Sequence, residues 1–189
     1  MHSADKTGPG DLYDLLVIGG RSGVGKSSVG FEIAAQLEAA DVPHAYLEGD
    51  CMDWVYPQRP GLAEKNIAAI WQNYAAAGYR RLIYTNTASI GSAADITGAM
   101  GGRTRVVGAL LTCTDETARG RLTGREIGST LDWHLTRSEI VGREFAAATL
   151  PSWATRVSTD GRKVADIASE IVALTGWRNS TRDERRSTQ

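Results

Sequence analysis

Cysteine is scarce in this sequence. Cys51 and Cys113 are the only two among 189 residues, and they form neither a CxxC pair nor a set with metal-binding spacing. The sequence therefore lacks the cysteine framework that small secreted domains depend on. We expect a cytoplasmic protein.

Long apolar runs and a charge excess are also missing. No run approaches the roughly 20 residues that a membrane helix requires, and residues 1–10 lack the apolar core of a signal peptide. Twenty-one basic and 22 acidic residues give a formal net charge of −1, so no global field attracts nucleic acid or an anionic membrane. We expect a soluble monomer or homodimer that binds neither membranes nor nucleic acids.

One glycine-rich segment, residues 20–27, matches the phosphate-loop pattern GxxxxGK[ST] without a mismatch. Its glycines let successive backbone N–H groups point into one concavity, to which the following helix adds its positive end. Lys26 would reach the β and γ phosphates of a nucleotide, and the Ser27 hydroxyl would ligate Mg²⁺. The residues expected to contact the nucleotide here are Gly20, Ser22, Gly23, Val24, Gly25, Lys26, Ser27 and Ser28.

The neighbours of this loop have the pattern that a phosphate loop requires. The apolar run at residues 15–18 predicts a strand buried on both faces. After the loop, Val29, Ile33 and Leu37 recur at four-residue spacing and predict one face of a helix. The order of strand, loop and helix favours a nucleotide site over a simple glycine-rich turn.

Similar patterns divide the rest of the chain into strands and helices. Strands are predicted over residues 44–47, 81–85, 104–112 and 153–158, and helices over residues 62–77, 92–100, 114–123, 131–148 and 164–174. Strands that alternate with helices predict a parallel α/β sheet covered on both faces. We expect one domain over residues 12–177, a flexible N-terminus over residues 1–11 and a disordered charged tail over residues 178–189.

The carboxyl edge of such a sheet is where ligands bind. That rule places residues 48–53, 85–89 and 112–115 beside the phosphate loop. Asp50 at this edge could position an attacking hydroxyl, because a carboxylate within hydrogen-bond reach can accept its proton. It could instead simply cap the next element.

Three further segments strengthen the case for a nucleotide enzyme. They are Glu48-Gly49-Asp50 after the second strand, Arg121-Leu122-Thr123-Gly124-Arg125 in the helix after the fourth strand, and Thr159-Asp160-Gly161 after the fifth strand. With the phosphate loop, they make residues 12–177 resemble the small P-loop kinases of metabolites, the group that holds gluconate kinase, shikimate kinase, adenylylsulfate kinase and chloramphenicol phosphotransferase. The resemblance implies a P-loop three-layer sandwich, with a five-stranded parallel sheet in the order 2-3-1-4-5 and a short lid over about residues 124–137.

The resemblance also implies roles for the two acidic residues after the second strand. Glu48 stands in the first acidic position of that group, where it would orient Mg²⁺. Asp50 stands in the second, where it would accept a hydrogen bond from the acceptor hydroxyl. In-line phosphoryl transfer requires a positioned nucleophile and neutralised charge, which such a pair supplies.

By the same resemblance, Arg121 would stack on the adenine and Arg125 would reach the transferring phosphate. A planar guanidinium suits both contacts, although arginines on a helix are commonly solvated. The backbone of Thr159, Asp160 and Gly161 would border the adenine. A plain turn between strand and helix would account for that segment nearly as well.

The loop over residues 51–61 is rich in aromatic residues, proline and charge, which is typical of a functional loop. Asp53, Trp54 and Arg59 are its candidates for binding the acceptor, with Arg137 from a later helix. Trp54 could stack on a ring or simply pack beside proline. Arg59 could bind an acid group on the acceptor.

These residues predict an ATP- and Mg²⁺-dependent kinase that transfers the γ phosphate to a hydroxyl of a small polar metabolite or natural product. Its catalytic residues would be Lys26, Asp50 and Arg125. The third strand ends without an aspartate, which argues against a motor or switch ATPase. Two alternatives stay open: a nucleotide kinase, which would need an arginine-lined acceptor site, and a non-enzymatic nucleotide-binding regulatory module.

Overall fold

The computed structural model describes residues 11–125, apart from the side chain of Arg125, and residues 131–178. Most of the predicted flexible N-terminus and charged tail, part of the predicted lid and the Arg125 side chain lie outside these residues. Those assignments stay predictions.

Strands and helices alternate along the described chain. The strands are β1 (Leu12–Gly19), β2 (Ala45–Glu48), β3 (Arg81–Thr85), β4 (Arg103–Thr112) and β5 (Ala154–Ser158). The helices are α1 (Lys26–Ala39), α2 (Leu62–Ala76), α3 (Ala93–Met100), α4 (Asp115–Arg125), α5 (Leu131–Ala147) and α6 (Val164–Thr175). Each element predicted from the sequence is present, with bounds shifted by three residues or fewer.

A single turn of 3₁₀ helix, Gly49–Cys51, follows β2 and was not predicted. It brings the backbone of Gly49 against the phenol of Tyr84 on β3. A Cβ atom at Gly49 would lie 2.2 Å from the Tyr84 hydroxyl oxygen, so this close approach requires glycine. The turn carries Asp50 at the carboxyl edge of the sheet.

The five strands form one parallel sheet in the order β2-β3-β1-β4-β5, as predicted. β1 lies in the centre, between β3 and β4, where both of its faces are covered. Burial on both faces explains why its sequence is an uninterrupted apolar run rather than an alternating one.

Two apolar clusters lie on opposite faces of the sheet and make the fold three layers deep. Leu16 and Ile18 of β1 pack with apolar residues of α1 and α6. Leu15 and Val17 point the other way and pack with residues of α2 and α3. Successive residues of a strand point to opposite faces, so β1 supplies both clusters.

Helices α4 and α5 lie at the carboxyl edge, next to the phosphate loop. A Cβ atom at Gly23 of the loop would lie 2.7 Å from the backbone oxygen of Ala118 on α4, which shows how closely the two segments approach. Within the described residues, none of the helices combines the length and the apolar character that a membrane crossing needs.

Candidate active site

The phosphate loop borders a cavity of about 240 Å³ at the carboxyl edge of the sheet. We call it the nucleotide cavity. Gly25 adopts a φ of 103°, a left-handed conformation that suits glycine, and α1 begins at the next residue. The nucleotide cavity is lined by Ser22, Gly23, Gly25, Lys26, Ser27, Ser28, Asp50, Arg121 and Leu122. Residues of the loop, of the segment after β2 and of α4 therefore meet at one cavity.

Lys26 supplies positive charge to the nucleotide cavity. It is the first residue of α1 and is only 8% exposed. Its Nζ donates to the backbone oxygen of Arg21 over 3.4 Å, across the loop. The ammonium and the first backbone N–H groups of α1 thus combine at one place, which favours phosphate binding.

Arg21, at a variable position of the loop motif, is buried rather than solvated, with 5% exposure. Its Nε donates to the hydroxyl of Ser138 on α5 over 2.9 Å, and its guanidinium pairs with the carboxylate of Asp115 at the start of α4. The Ser138 hydroxyl in turn donates to the backbone oxygen of Ser22 over 2.8 Å. The hydrogen bond from Arg21 is the main cause of the lowered pKa of Asp115.

These contacts join the phosphate loop to α4 and α5. No role was predicted for Arg21 or Ser138 from the sequence. An arginine within the loop was the available signal, but nothing in the sequence identified its partners.

Asp50 contacts Asn86, which was predicted only as one of the residues 85–89 at this edge. Asn86, just after β3, donates from Nδ2 to a carboxylate oxygen of Asp50 over 3.0 Å. The Asn86 side-chain oxygen accepts from the backbone N–H of Ala88 over 2.9 Å. Because this second bond orients the amide, Asn86 presents its N–H groups to Asp50 and helps to hold the carboxylate at the cavity.

Glu48 is held by two hydroxyl groups. One oxygen accepts from Tyr46 over 2.9 Å and the other accepts from Thr85 over 2.8 Å. Glu48 and Thr85 also pair across β2 and β3. Burial, above all, raises the pKa of Tyr46, so its phenol stays a donor.

Glu48 is not among the residues that line the nucleotide cavity, but its oxygens and the Ser27 hydroxyl are of the kind that Mg²⁺ binds. Each Glu48 oxygen receives one of these hydrogen bonds and keeps further lone pairs, and Ser27 adds a hydroxyl oxygen at the nucleotide cavity. Mg²⁺ is typically bound by one or two such protein oxygens together with nucleotide phosphates and water.

Arg121 lies between the phosphate loop and the segment after β5. One terminal nitrogen donates to the backbone oxygen of Val24 over 2.9 Å and to the hydroxyl of Thr159 over 3.1 Å, while the other donates to the backbone oxygen of Thr159 over 3.3 Å. Asp160 accepts from the backbone N–H of Thr114 over 3.0 Å. The predicted adenine-side residues therefore meet next to the loop, and their contact with adenine stays a prediction.

A second cavity, of about 200 Å³, lies beside Asp50. We call it the acidic cavity. It is lined by Gly49, Asp53, Ala63, Glu64, Ile67, Tyr84, Asn86, Ser92, Asp95 and Ile96. Asn86 lines this cavity and also holds Asp50, which lines the nucleotide cavity, so one hydrogen bond connects the two sites.

The other predicted acceptor residues lie elsewhere in the structure. Trp54 is 81% exposed, and Arg59 is exposed as well. The guanidinium of Arg137 lies 5.4 Å from the ring centroid of Trp133 on α5. None of these three is among the residues that line the nucleotide or the acidic cavity, and their assignment to the acceptor stays a prediction.

Comparison with known proteins finds no matching family model and no matching curated protein. Solved structures do match. A gluconokinase from Sinorhizobium meliloti 1021 is 19% identical, with 96% of this chain and 98% of that chain covered and a TM-score of 0.56. The tunicamycin resistance protein of Deinococcus radiodurans is 17% identical over 87% of this chain and 96% of that chain, with a TM-score of 0.61.

The APS kinase of Mycobacterium tuberculosis, solved with AMPPNP and APS, is 15% identical over 87% of this chain and 98% of that chain, with a TM-score of 0.50. At these identities the likeness shows the fold. The predicted three-layer P-loop fold, and its resemblance to the small P-loop kinases, are confirmed at that level.

Proposed function

We propose that this protein is an ATP- and Mg²⁺-dependent kinase that phosphorylates a hydroxyl of a small polar molecule. The observation that carries the proposal is the position of Asp50, which lines the same cavity as Lys26 and Ser27 of the phosphate loop. A carboxylate beside a phosphate cradle is where a hydroxyl acceptor needs its proton removed. We expect the activity in the cytoplasm.

Asp50, Lys26 and the phosphate loop would each have a role in the transfer step. The acceptor oxygen forms a bond to the γ phosphorus while the bond from that phosphorus to the β–γ bridging oxygen breaks, and ADP leaves with the electron pair. The hydroxyl proton passes to the Asp50 carboxylate. Lys26 and the N–H groups of the loop offset the charge on the phosphates throughout.

Two further groups prepare the site for this step. Ser27 and Glu48 would hold Mg²⁺, which when bound neutralises phosphate charge. Asn86 orients Asp50 through the 3.0 Å hydrogen bond, so that the carboxylate is in place before the acceptor arrives. We keep Arg125 as the proposed contact with the transferring phosphate and Arg121 as the proposed contact with adenine.

A coupled assay of ADP release, run with and without hydroxyl compounds, tests the proposal. We expect Asp50→Asn to lower acceptor-stimulated turnover by a factor on the order of 100 or more, as loss of a general base does. Asp166→Asn is the matched control, because Asp166 is an exposed aspartate on α6 that lines neither cavity. An unchanged rate in Asp50→Asn, or ADP release that no hydroxyl compound stimulates, would overturn the kinase assignment.

The nucleotide-kinase alternative is disfavoured by the acidic cavity. An acceptor phosphate would need basic side chains around it, whereas neither lysine nor arginine appears among the described residues that line this cavity. The regulatory-module alternative predicts instead that Asp50→Asn leaves function intact, which the same assay decides.

A further inference from the structure

We propose that the acceptor is a cation: a small polyhydroxylated compound that carries an ammonium group and binds in the acidic cavity. This inference rests on the proposed kinase function and names the chemical class of the acceptor. In this arrangement the hydroxyl to be phosphorylated would lie next to Asp50 and the ammonium group next to Glu64.

The acidic cavity lies where an acceptor is needed. The acidic cavity adjoins the nucleotide cavity at the Asp50–Asn86 hydrogen bond. A molecule in the acidic cavity can therefore present a hydroxyl to Asp50 without entering the space for the nucleotide. Its volume of about 200 Å³ suits a compound of one ring or a short chain.

The charged residues that line the acidic cavity are all negative. Three carboxylates line the acidic cavity, and they come from three separate parts of the fold: Asp53 after β2, Glu64 on α2 and Asp95 on α3. No described lining residue offers a positive charge in return. An anionic acceptor would be repelled here, whereas an ammonium group would form charge-assisted hydrogen bonds.

One of these carboxylates has an unsatisfied oxygen within the described residues. The Oε2 atom of Glu64 is buried, and within the part of the chain that the structure describes it has no hydrogen-bond partner. A buried carboxylate oxygen without a donor is costly. An ammonium group bound in the cavity would supply the missing donor.

A metal ion fits these carboxylates less well than a molecular cation. Among residues 11–125 and 131–178, no three aspartate, glutamate, histidine or cysteine side chains come close enough together to hold a metal ion. The carboxylates are instead distributed around a cavity that also has apolar walls, from Ala63, Ile67 and Ile96. Apolar walls with a few charged groups are typical of sites for small organic molecules.

The negative charge of the carboxylates also contributes to the pKa of a neighbouring side chain. Tyr84 lies at the acidic cavity, and burial, followed by the charges of Asp50, Asp53, Glu48 and Glu64, raises the pKa of Tyr84 to about 12. Negative charge that opposes ionisation of a phenol also attracts a cation to the same place.

The experiment compares hydroxyl compounds that share a scaffold and differ in charge. The series are serinol, glycerol and glycerate; glucosamine, glucose and glucuronate; and streptamine, myo-inositol and quinate. Acceptor-stimulated ADP release, and binding to the protein loaded with Mg²⁺ and AMPPNP, are measured at neutral pH. In at least one series we expect the amine to exceed its neutral partner by about tenfold or more in kcat/KM, equivalent to about 1.4 kcal/mol.

A charge-neutralising variant tests the site itself. Glu64→Gln should reduce the advantage of the amine over its neutral partner about tenfold. Glu38→Gln, at an exposed glutamate near the end of α1, is the matched control and should keep the advantage of the amine. Circular dichroism and thermal unfolding confirm that both variants are folded.

The outcomes separate this inference from the proposed function. If neutral or anionic compounds stimulate ADP release and the amines do not, the cationic acceptor is wrong and the kinase stands. An amine advantage that survives Glu64→Gln also overturns the inference. If no compound of any charge stimulates release, both fail.

Discussion

The guanidinium Nε of Arg21 donates to the hydroxyl of Ser138 over 2.9 Å, across 117 positions of the chain. This bond joins the phosphate loop to the middle of α5, and the same hydroxyl donates to the backbone oxygen of Ser22. A phosphate loop must hold its N–H groups in one direction before the nucleotide binds. The hydrogen bond from Arg21 to Ser138 of α5 helps to hold the loop in the conformation that binds phosphate.

Replacing Ser138 should therefore weaken the fold. We expect Ser138→Ala to lower the free energy of unfolding by about 1–3 kcal/mol, because it leaves the buried Arg21 Nε and the Ser22 oxygen without this partner. Urea unfolding followed by circular dichroism measures the change. Ser152→Ala, at an exposed serine, should stay within about 0.5 kcal/mol of the native protein. Equal midpoints for the two variants would show that the bond does not stabilise the fold.

The space around the Arg21 guanidinium gives a second prediction. A Cβ atom at Gly142 on α5 would lie 2.7 Å from a terminal nitrogen of Arg21, whereas a Cβ atom at Gly98 on α3 would have nothing within 4 Å. Alanine is favoured over glycine inside a helix by roughly 0.5–1 kcal/mol. We expect Gly98→Ala to stabilise the protein by about that amount and Gly142→Ala to destabilise it, measured as unfolding midpoints.

Nucleotide binding distinguishes the same two glycine variants. The Gly142→Ala protein should bind AMPPNP more weakly than the native protein, because the added methyl group displaces Arg21. The Gly98→Ala protein should bind it as the native protein does, and calorimetry measures both affinities. If Gly142→Ala gained stability and kept its affinity, the packing of α5 on Arg21 would not matter to the loop.

Arg121 should be replaceable by neither alanine nor lysine. Its two terminal nitrogens donate to the backbone oxygen of Val24 and to two oxygens of Thr159, an arrangement that needs the planar guanidinium fork. We expect Arg121→Lys to raise the Kd for AMPPNP about tenfold, the equivalent of about 1.4 kcal/mol. Arg119→Lys, which keeps the charge beside Glu139 at an exposed ion pair, should change it less than twofold. Similar Kd values for the two variants would contradict a specific role for Arg121.

Tyr84 should make the stability of the protein depend on pH in the alkaline range. The pKa of Tyr84 is about 12 in the folded protein, whereas an unfolded tyrosine ionises near about 10. Below about pH 10 both states keep the proton, and Tyr84 adds no pH dependence. As the pH rises from about 10 to about 12 the unfolded state loses its proton first, so the free energy of unfolding falls.

Urea unfolding at about pH 9 and about pH 11.5 tests this prediction. Native protein should lose roughly 1–2 kcal/mol more stability over that interval than Tyr84→Phe does, because phenylalanine has no proton to release. Tyr56→Phe, at a ring that is 99% exposed, should follow the native profile. Equal losses in the native protein and Tyr84→Phe would show that Tyr84 is not shielded as the structure indicates.

The central strand and the phosphate loop could be read directly from the sequence. The run at residues 15–18 is apolar because both faces of β1 are buried, and the loop motif needs its glycines, lysine and serine at fixed spacings. Asp50 was predicted at the nucleotide site because residues that follow the parallel strands of one sheet meet at one edge of it.

The 3₁₀ turn at Gly49–Cys51 could not be predicted in the same way. It depends on the approach of Gly49 to the Tyr84 phenol, which lies on a different strand. Asn86 was predicted only as one of the residues 85–89 at this edge, since one asparagine after a strand carries no sign of the carboxylate it will contact.

The succession of strands and helices and the position of the phosphate loop could therefore be predicted, because local hydrophobic period and short motifs encode both. The contacts of Arg21 with α4 and α5, and the cavity shared by Asp53, Glu64 and Asp95, became visible in the folded protein alone. Those groups come from separate elements, and their distances depend on how the layers pack. The spacing of residues along the chain does not predict that packing.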